Sequence, residues 1–498
     1  MTDFVLRSGL GHAMLVVAGL LVYVMFTRID HQRRHPSAAL AWVLGIVAFP
    51  YVALPLFLLV GSRKFARPLR TLHRPGTATT LSHAATGEGP AWATHLLAGM
   101  DLAPAVRNAH VHFHEDGPEA LQALLALIDS ARHSLDVCTF VFHHDEVGDR
   151  VAQALVQCAQ RGVATRLLVD AVGSLHTPAA VLSQLARQGV TVRRFMPLLH
   201  NPMRGRTNLR NHRKVAVADG ARLWSGGRNL ASEYFLDRPG KPAWLDLSFD
   251  VEGPLAALAQ AQFRADWRAA TGRVRFTRHL PPPRHALVGP PGGALAQWVP
   301  SGPDQPDDTV YALLLTAAYH AQRRIVAITP YFVPDEALLD AWCIACRRGV
   351  QVHLIVPARS NHRLADLARE RALRQLSTAG ARVWLAPGMV HAKAVVIDDS
   401  MALTGSVNLD ARSLFLNYEH MTAFYDREQV QWLAHWCARH IATAQPHHAR
   451  QPSWRGSRPP RVRADPSRAR SSRRGSAPKP CPRCSPAACG TSASNCWR

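Results

Sequence analysis

The sequence predicts an α/β protein in which two duplicated α/β halves pack around a pseudo-twofold axis and share one site, preceded by an N-terminal transmembrane helical hairpin. Three observations lead to this prediction. Two apolar runs open the chain, strand and helix patterns then alternate twice in the same order, and the pattern His-x-Lys-x4-Asp occurs once in each copy, at 212–219 and 391–398. With 498 residues, the chain is long enough for two or three domains and a large core.

The two apolar runs lie at about 9–26 and 37–60, and each is close to the ~20 residues that a helix needs to cross a bilayer. A cleaved signal peptide is the alternative for the first run. However, this run lacks a short apolar core ending in an Ala-x-Ala site, and a second span follows almost at once. We therefore expect residues 1–67 to form a retained membrane hairpin. The flanking basic residues slightly favour a cytoplasmic body.

Residues 68–105 are rich in Thr, Ala, Gly and Pro and are expected to form a linker. The body that follows divides into halves at 106–275 and 276–445, which repeat one order of strand, helix, strand, helix and strand. The segments are 134–142, 147–162, 163–170, 178–189 and 190–195 in the first half, and 323–329, 335–349, 350–357, 363–380 and 381–386 in the second. This repetition predicts a duplicated βαβαβ unit.

The net charge of +23 predicts an anionic partner, such as a bilayer surface, a nucleic acid or a phosphorylated substrate. About half of this charge lies near the C-terminus, where residues 450–498 contain eleven arginines and one lysine against one aspartate. The tail at 446–498 is also rich in Ser and Pro, so we expect it to be disordered. Zinc binding by the tail stays open, although the spacing of its cysteines is irregular: Cys481, Cys484, Cys489 and Cys496.

Two other patterns are typical of metal sites but have simpler interpretations. His110, His112 and His114 alternate along one face of an expected strand. No acidic residue accompanies them at a telling spacing, so we interpret the segment as a plain edge strand rather than a metal site. Cys343 and Cys346 have the spacing of a redox or zinc pair, but their flanks indicate the end of an amphipathic helix, and we expect core cysteines.

The repeated His-x-Lys-x4-Asp pattern identifies candidate catalytic residues. On a strand, residues i and i+2 point to the same face, so each histidine is expected beside its lysine. Each aspartate is expected at the strand end, where it supports the geometry. Gly-x-x-Asn follows in both copies, and its small residues let amides approach an anion. The catalytic candidates are His212, Lys214, Asp219, His391, Lys393 and Asp398, and the phosphate-binding candidates are Asn229, Ser406 and Asn408.

Two histidines, two lysines and several amide donors suit the cleavage of a phosphodiester. One histidine attacks phosphorus, the other protonates the leaving alkoxide, and the lysines bind the nonbridging oxygens. This chemistry requires no metal, and we predict no cofactor. A single His-x-Lys on a strand is commonplace, but two copies at matched positions of a repeat are hard to attribute to chance. We therefore expect the two halves to bring their copies together in one site.

Both copies resemble the duplicated motif of the phospholipase D superfamily, and the surrounding sequence resembles bacterial cardiolipin synthases. The likeness covers roughly residues 10–440. It is carried by NLRNHRK at 208–214, VPSGPD at 299–304, TPYFVPDEALL at 329–339 and GSVNLDARSLFLNYE at 405–419. The resemblance implies two phospholipase D-like halves. It also implies transfer of a phosphatidyl group between two phosphatidylglycerol molecules in the bacterial inner membrane, giving cardiolipin and glycerol.

The resemblance also implies roles for individual residues. His212 is expected to be the nucleophile that forms a phosphohistidine, and His391 the general acid and then the general base. Members of the superfamily place a carboxylate behind each histidine. Glu419 matches that position in the second half, and Asp246 is its counterpart in the first half.

The sequence departs from the superfamily at two places. Gly227 stands where a serine is usual, so Ser406 has no hydroxyl counterpart in the first half and the anion pocket is expected to be asymmetric. His143, His144 and Asp145 stand where an arginine and acidic residues are expected, near the pocket entrance. Substrate preference is therefore open to change in this chain.

Other functions remain open at this stage. The same residues would serve a phospholipase if water were the acceptor, or a nuclease if the substrate were a nucleic acid, although a membrane hairpin argues against the nuclease. A membrane-tethered nucleic-acid binder would explain the basic tail but not the repeated motif. The expected partners are an anionic phospholipid membrane and phosphatidylglycerol, with no obligatory nucleic acid. The oligomeric state and the use of phosphatidylethanolamine remain open.

Overall fold

The computed structural model describes residues 2–28, 36–57, 89–197, 209–270 and 287–447. Its contacts divide the chain into a unit of Met1–Ala449 and a unit of Arg450–Arg498. The second unit lies outside the described residues, and so does nearly all of the tail predicted to be disordered. The larger part of the predicted linker, 68–88, also lies outside them.

The N-terminal region folds into three helices: α1 (Thr2–Arg28), α2 (Pro36–Ala48) and α3 (Pro50–Leu56). They overlap the predicted spans at 9–26 and 37–60, the last three residues of which lie outside the described residues. A small apolar cluster joins them through Tyr23, Ile46, Ala53 and Phe57. Within the described residues, the helices do not reach the combination of length and apolar character that crossing a bilayer requires.

The body consists of two sheets covered by helices. The helices are α4 (Ala91–Gly99), α5 (Gly117–Ser130), α6 (Glu146–Gln160), α7 (Ala179–Arg187), α8 (Pro254–Ala270), α9 (Thr309–His320), α10 (Glu336–Arg347), α11 (Arg363–Thr378), α12 (Ala411–Phe415) and α13 (Arg427–Thr443). The strands are β1 (Val106–Asn108), β2 (His110–His114), β3 (Ser134–Thr139), β4 (Ala164–Asp170), β5 (Thr191–Phe195), β6 (Val215–Ala218), β7 (Arg222–Gly226), β8 (Ser248–Glu252), β9 (Ala294–Ser301), β10 (Arg324–Ile328), β11 (Phe332–Val333), β12 (Gln351–Pro357), β13 (Arg382–Ala386), β14 (Ala394–Ile397), β15 (Met401–Gly405), β16 (Leu409–Asp410), β17 (Glu419–Phe424) and β18 (Gln445–Pro446).

The two large sheets have the same internal order. The first runs β2-β8-β7-β6-β3-β4-β5, and the second runs β1-β9-β17-β15-β14-β10-β12-β13-β18. In the first sheet β3, β4 and β5 are parallel and are connected by α6 and α7. In the second sheet β10, β12 and β13 are parallel and are connected by α10 and α11. The predicted duplication of a βαβαβ unit is confirmed.

The chain enters the body through the second sheet, which the predicted boundary at residue 106 did not anticipate. β1 pairs antiparallel with β9, with Val106 opposite Ala296. Helix α4 falls in the segment predicted as a linker, and it buries Ala93 and Leu97 in the core of the second half. The local pattern carries no information on this pairing because the partner strand lies nearly two hundred residues later in the sequence.

A shared apolar core joins the two halves. It contains Val217 and Phe249 of the first sheet, Ile328 and Val396 of the second sheet, and Trp436 of α13. Separate clusters lie under the outer helices of each half. Buried apolar surface contributes about 25 cal/mol per Å², so a common core of this kind holds the halves in a fixed relation.

The four motif residues predicted to lie on strands lie just before them. β6 and β14 begin only after the His-x-Lys stretches, which are extended segments leading into the strands. The reason is that the backbone of each stretch pairs with a segment of the other half instead of continuing its own sheet. This correction concerns His212, Lys214, His391 and Lys393.

The aspartates of the two motifs close tight turns at the far ends of β6 and β14. Asp219 and Asp398 have φ angles of 54° and 50°, in the left-handed region. The carboxylate of Asp219 accepts the backbone N–H groups of residues 132–134, and that of Asp398 accepts those of residues 322–324. A four-residue strand, about 13 Å long, separates each aspartate from its histidine. The structure therefore does not bring Asp219 and Asp398 into the catalytic group and gives them a structural role.

Replacing Asp219 by alanine is expected to destabilise the protein by about 2 kcal/mol, because three N–H groups lose their acceptor and alanine disfavours the left-handed conformation. Asp219→Asn is the matched control. Asparagine tolerates this conformation, and its oxygen can still accept from His133 and Ser134, so the expected loss is below about 1 kcal/mol. Thermal unfolding measures both values. A large loss of kcat in folded Asp219→Ala protein would contradict the structural role.

Candidate active site

The backbone on each side of the site is built from both halves. The N–H of His212 donates to the carbonyl of Tyr418 at 2.9 Å, and the N–H of Tyr418 donates back to the carbonyl two residues before His212. The N–H of His391 donates in the same way to the carbonyl of Leu245 at 2.7 Å. Each His-x-Lys stretch thus forms a short parallel pairing with the segment that begins a strand of the other half. This exchange is the pseudo-twofold relation that the repeat predicted.

The supporting carboxylates are exchanged between the halves as well. Glu419 Oε2 lies 2.9 Å from Nδ1 of His212, and Asp246 Oδ2 lies 2.6 Å from Nδ1 of His391. The two carboxylates expected from the resemblance therefore do stand behind the histidines, but each supports the histidine of the opposite half. Because a carboxylate can only accept, each ring donates from Nδ1 and carries its lone pair on Nε2.

The histidine rings are buried and uncharged at neutral pH. Burial lowers the pKa of His212 to about 4, although the Glu419 carboxylate acts in the opposite direction. Burial and the Lys393 ammonium lower the pKa of His391 to about 3. Although burial favours protonation of Asp246, the adjacent His391 and Lys393 lower the pKa of its carboxyl to about 2. Burial also favours protonation of Glu419, but the adjacent His212 and Lys214 lower the pKa of its carboxyl. Both carboxylates are therefore anionic acceptors at working pH.

The two lysines lie beside the histidines, and the charge of each lysine also affects the histidine of the other half. Lys214 Nζ donates to the carbonyl of His212 at 2.6 Å, and Lys393 Nζ donates to the carbonyl of His391 and lies 3.1 Å from its Nε2. Burial lowers the pKa of Lys214 to about 7 and that of Lys393 to about 8. The charge of Lys393 acts on His212, and the charge of Lys214 acts on His391. The four side chains therefore share one electrostatic site.

The close approach of Asp246 to the backbone at position 227 explains why this position is a glycine. A Cβ atom at this position would lie 2.1 Å from Asp246 Oδ1. Even the smallest side chain would therefore collide with the carboxylate that supports His391. The absence of a serine in the first half is thus a packing requirement of this chain.

The three phosphate-binding candidates occupy different places. Asn229 Oδ1 accepts the backbone N–H of Val141 at 3.2 Å, which orders the loop beside His212. Ser406 Oγ accepts the N–H of His420 at 3.0 Å, and the Ser406 carbonyl lies 3.1 Å from Nδ1 of His212. Asn408 is 6 % exposed. Ser406 therefore orders the backbone at His420 with its hydroxyl and contacts His212 with its own carbonyl.

Aromatic side chains that sequence reasoning did not identify enclose the two rings. Phe140 packs edge-on against His212 with ring centroids 5.0 Å apart, and Tyr234 packs in the same manner against His391 at 4.8 Å. Trp244 lies 5.8 Å from His391. They pack against the imidazoles, which are 8 % and 5 % exposed. Their only sequence signal is an aromatic residue near a motif, which is too common to be specific.

Arg213 lies between the histidine and the lysine of the first motif. Its side chain forms ion pairs with residues of both halves. Its guanidinium donates to Asp266 at 2.6 Å and to Asp304 at 3.0 Å, and it also donates to the carbonyl of Glu419 at 2.8 Å. The side chain is 1 % exposed. In the sequence, Arg213 is the last arginine of a basic run at 204–213, and nothing in that run indicates that it is buried.

A cavity on one side of the site is lined by the residues that depart from the superfamily pattern. This cavity of about 580 Å³ is bounded by His143, His144 and Asp145 together with Trp244, which also contacts His391. Arg238 and Lys241 add cationic groups to its rim. This position agrees with the expected pocket entrance.

A duplicated α/β fold that brings one His-Lys pair from each half to one site, with a carboxylate behind each histidine, defines an enzyme of the phospholipase D type. The chain belongs to the bacterial cardiolipin synthase family of that superfamily, because the sequence matches the family described as "Cardiolipin synthase, PLD-like domain" at residues 124–267 and 314–441.

Curated relatives support the same membership. The chain is 32% identical over 434 residues to cardiolipin synthase A of Pseudomonas entomophila, which covers 84% of this chain and 88% of that protein. It is 32% identical over 429 residues to cardiolipin synthase A of Escherichia coli O157:H7, which covers 82% of this chain and 87% of that protein.

A solved structure shows the same fold. The crystal structure of phosphatidylserine synthase from Haemophilus influenzae Rd KW20 superimposes with a TM-score of 0.55, covering 72% of this chain and 92% of that chain. At 15% sequence identity this likeness concerns the fold alone.

Proposed function

We infer that this chain is a cardiolipin synthase, which transfers a phosphatidyl group from one phosphatidylglycerol molecule to another and releases glycerol. The observation that carries the proposal is the pair of crossed histidine-carboxylate contacts, Glu419 with His212 and Asp246 with His391. They supply a nucleophile and an acid in one site, within a chain that matches cardiolipin synthases over most of its length.

In the first step, Nε2 of His212 attacks the phosphorus of the donor lipid. The bond between phosphorus and the glycerol oxygen breaks, and that oxygen takes a proton from Nε2 of His391. The ring of His391 is neutral in the empty site, but a bound phosphodiester places a negative charge beside it and raises its pKa, so the ring takes up a proton with substrate. Lys214 and Lys393 stabilise the charge on the nonbridging oxygens.

In the second step, a glycerol hydroxyl of another phosphatidylglycerol loses its proton to Nε2 of His391 and attacks the phosphorus of the phosphohistidine. The bond from phosphorus to His212 breaks, and cardiolipin forms. The histidines are 8 % and 5 % exposed, and aromatic rings flank them. Restricted access of water favours the alcohol over hydrolysis.

A reconstitution experiment tests this proposal. Purified protein in phosphatidylglycerol vesicles containing EDTA is expected to produce cardiolipin and glycerol in equal amounts. Phosphatidic acid as the main product would identify a phospholipase instead. Absence of any lipid turnover, together with salt-sensitive DNA binding, would favour a nucleic-acid binder and contradict the proposal.

We further propose that the N-terminal helices anchor the protein in the inner membrane as a multi-pass hairpin, with the body in the cytoplasm. The support is a surface of large apolar side chains on α1, α2 and α3, including Met14, Leu21, Leu40, Leu44 and Val52, which are 58–67 % exposed. The test is alkaline carbonate extraction of cell membranes. The full chain is expected in the pellet, and release into the wash would refute a hairpin anchor.

The pH dependence of kcat/KM is expected to be bell-shaped, because this parameter reports groups of the free enzyme. Activity falls as the pH drops toward about 4, where His212 becomes protonated and loses its nucleophilic lone pair. It also falls as the pH rises, because the proton that His391 takes up with substrate comes from solution, and it falls more steeply above about 7 to 8, where Lys214 and Lys393 lose their protons. Initial rates between pH 4 and about pH 10 measure both limbs. A plateau that continues to the alkaline end would contradict the role given to the lysines.

A further inference from the structure

The edge strand β2 carries a histidine pattern that the reaction does not use. His112 and His114 lie two residues apart on one face of β2, and the sequence alone offered no acidic partner for them. The structure supplies one. The side chain of Glu119, in the first turn of α5, contacts both histidines. Asp116 caps that helix and accepts the N–H of Glu119 at 3.0 Å.

The ligand-type atoms of these residues converge on one point. His112 Nε2 lies 3.1 Å from Glu119 Oε1, and His114 Nδ1 lies 2.9 Å from the same oxygen. The three atoms all lie within 4.8 Å of one another. Two ligands of a tetrahedral zinc ion are about 3.3 Å apart, because each bond is about 2.0–2.1 Å long. The two contacts with Glu119 are within a few tenths of an ångström of that separation, and the half-exposed side chains of His112 and Glu119 can move to admit the ion.

A carboxylate holds one of the rings in the orientation that a metal ligand needs. Asp250 Oδ1, on the neighbouring strand β8, lies 2.7 Å from Nε2 of His114. Because Glu119 and Asp250 can only accept, the ring donates from both nitrogens in the absence of an ion. A bound ion would replace the Nδ1 proton while Nε2–H still donates to Asp250, and metal-binding histidines almost always have such a partner. His114 is 5 % exposed, so its orientation is fixed by packing as well.

We propose that His112, His114 and Glu119 form a binding site for a divalent transition-metal ion of the zinc class, which cross-links the edge strand β2 to the start of α5. Two imidazoles and one carboxylate suit zinc and its neighbours and suit magnesium poorly, since magnesium prefers oxygen ligands only. The half-exposed positions of His112 and Glu119 leave room for water as a further ligand.

The proposed metal site lies outside the catalytic group. It is connected to that group through Arg228, which contacts the backbone of β2. The carbonyl of His114 accepts from Arg228 at 2.9 Å, and Arg228 is one of the charges that lower the pKa of Asp246. A metal cross-link therefore stabilises the backbone that positions Arg228. Its role is structural, so the reaction proposed above does not depend on it.

A second group of similar composition is less suitable. His143, Asp145 and Glu233 also lie close together, but both oxygens of Asp145 accept backbone N–H groups, from Gly148 at 3.0 Å and from Ser232 at 2.8 Å. The Glu233 carboxylate is paired with a guanidinium at 3.0 Å. A metal there would have to break these contacts. The variant His143→Gln therefore tests whether zinc binds to this second group instead of the first.

Zinc titration of the full chain tests the site. The background protein carries serine at the four tail cysteines, Cys481, Cys484, Cys489 and Cys496, so that these thiols do not compete for metal. Calorimetry with ZnCl₂ is expected to show one bound ion per chain. The melting temperature is expected to rise by several degrees at saturating zinc, because the ion binds only the folded state. Magnesium chloride at the same concentration is expected to cause no shift.

Variants locate the binding. His112→Gln and Glu119→Gln change half-exposed side chains and are each expected to weaken zinc binding at least about tenfold, while Asp250→Asn is expected to weaken it by about ten- to a hundredfold. The matched control His133→Gln, at an exposed position between α5 and β3, should bind as the parent does. Unchanged melting temperatures in EDTA show that the variants fold.

Three results would overturn the proposal: no zinc-dependent shift in the background protein, undiminished binding in both His112→Gln and Glu119→Gln, or loss of binding in His143→Gln instead. An equal shift with magnesium would overturn the assignment to the zinc class. None of these outcomes bears on cardiolipin synthesis, which is measured with EDTA present.

Discussion

Asparagine at His212 is expected to abolish cardiolipin synthesis, with a loss of at least about 10⁴-fold in kcat, because the phosphohistidine cannot form. Asparagine at His391 is expected to reduce synthesis by about 10²- to 10⁴-fold, because the leaving glycerol oxygen then departs without a proton. Synthesis from phosphatidylglycerol alone does not separate these roles, since both variants are nearly inactive. A substrate with a better leaving group does.

The separating experiment uses phosphatidyl-p-nitrophenol, whose phenolate leaves without protonation. His391→Asn is expected to release one equivalent of p-nitrophenolate in a rapid burst, followed by slow turnover, because the acceptor still lacks its base. His212→Asn should give no burst. His133→Gln, at an exposed histidine outside the site, is the control and is expected to give the burst and turnover of the parent. A burst in His212→Asn and none in His391→Asn would exchange the two roles.

The alternation of apolar runs was sufficient to predict the duplicated βαβαβ units, because periods of 2 and 3.6 residues are local properties. The exchange of Glu419 and Asp246 between the halves was not predictable, because it depends on which surfaces meet when the halves pack. Two further contacts could not be predicted from the sequence for the same reason: the pairing of β1 with β9 and the approach of Glu119 to His112. Each depends on contacts between segments that no short pattern connects.

The site was predicted more completely than its surroundings. His212 and His391 stand out because the motif is repeated, and repetition is visible in one sequence. Arg213 lies inside the same motif, but an arginine in a basic run gives no sign that it will be buried. The physical importance of Arg213 arises only after folding, when two aspartates from different halves converge on it.

Replacing Arg213 by methionine is therefore expected to produce the largest loss of stability among single changes near the site, about 3–5 kcal/mol. The guanidinium is 1 % exposed, and its removal leaves Asp266 and Asp304 buried beside each other without a counter-charge. Burial alone would lower the pKa of Arg213, but these two carboxylates raise it, so the ion pair is favoured in the folded state.

Arg439→Met provides the matched control, because Arg439 also forms an ion pair between the halves. It contacts Glu115 at 2.7 Å, but both side chains are about half exposed. Water and salt screen such a pair, so the expected loss is below about 1 kcal/mol. Thermal unfolding in one detergent compares the two variants. The difference measures the cost of removing a buried guanidinium rather than an exposed one, since the residue change is the same.

A compensating variant distinguishes buried charge from lost packing. In Arg213→Met combined with Asp266→Asn and Asp304→Asn, the uncompensated carboxylates are absent, and about 1–2 kcal/mol of the lost stability is expected to return. No recovery would mean that the volume and hydrogen bonds of the guanidinium dominate, rather than the charges that it neutralises. Recovery would show that the two halves are held in register around the histidines by a buried ion network as well as by their shared apolar core.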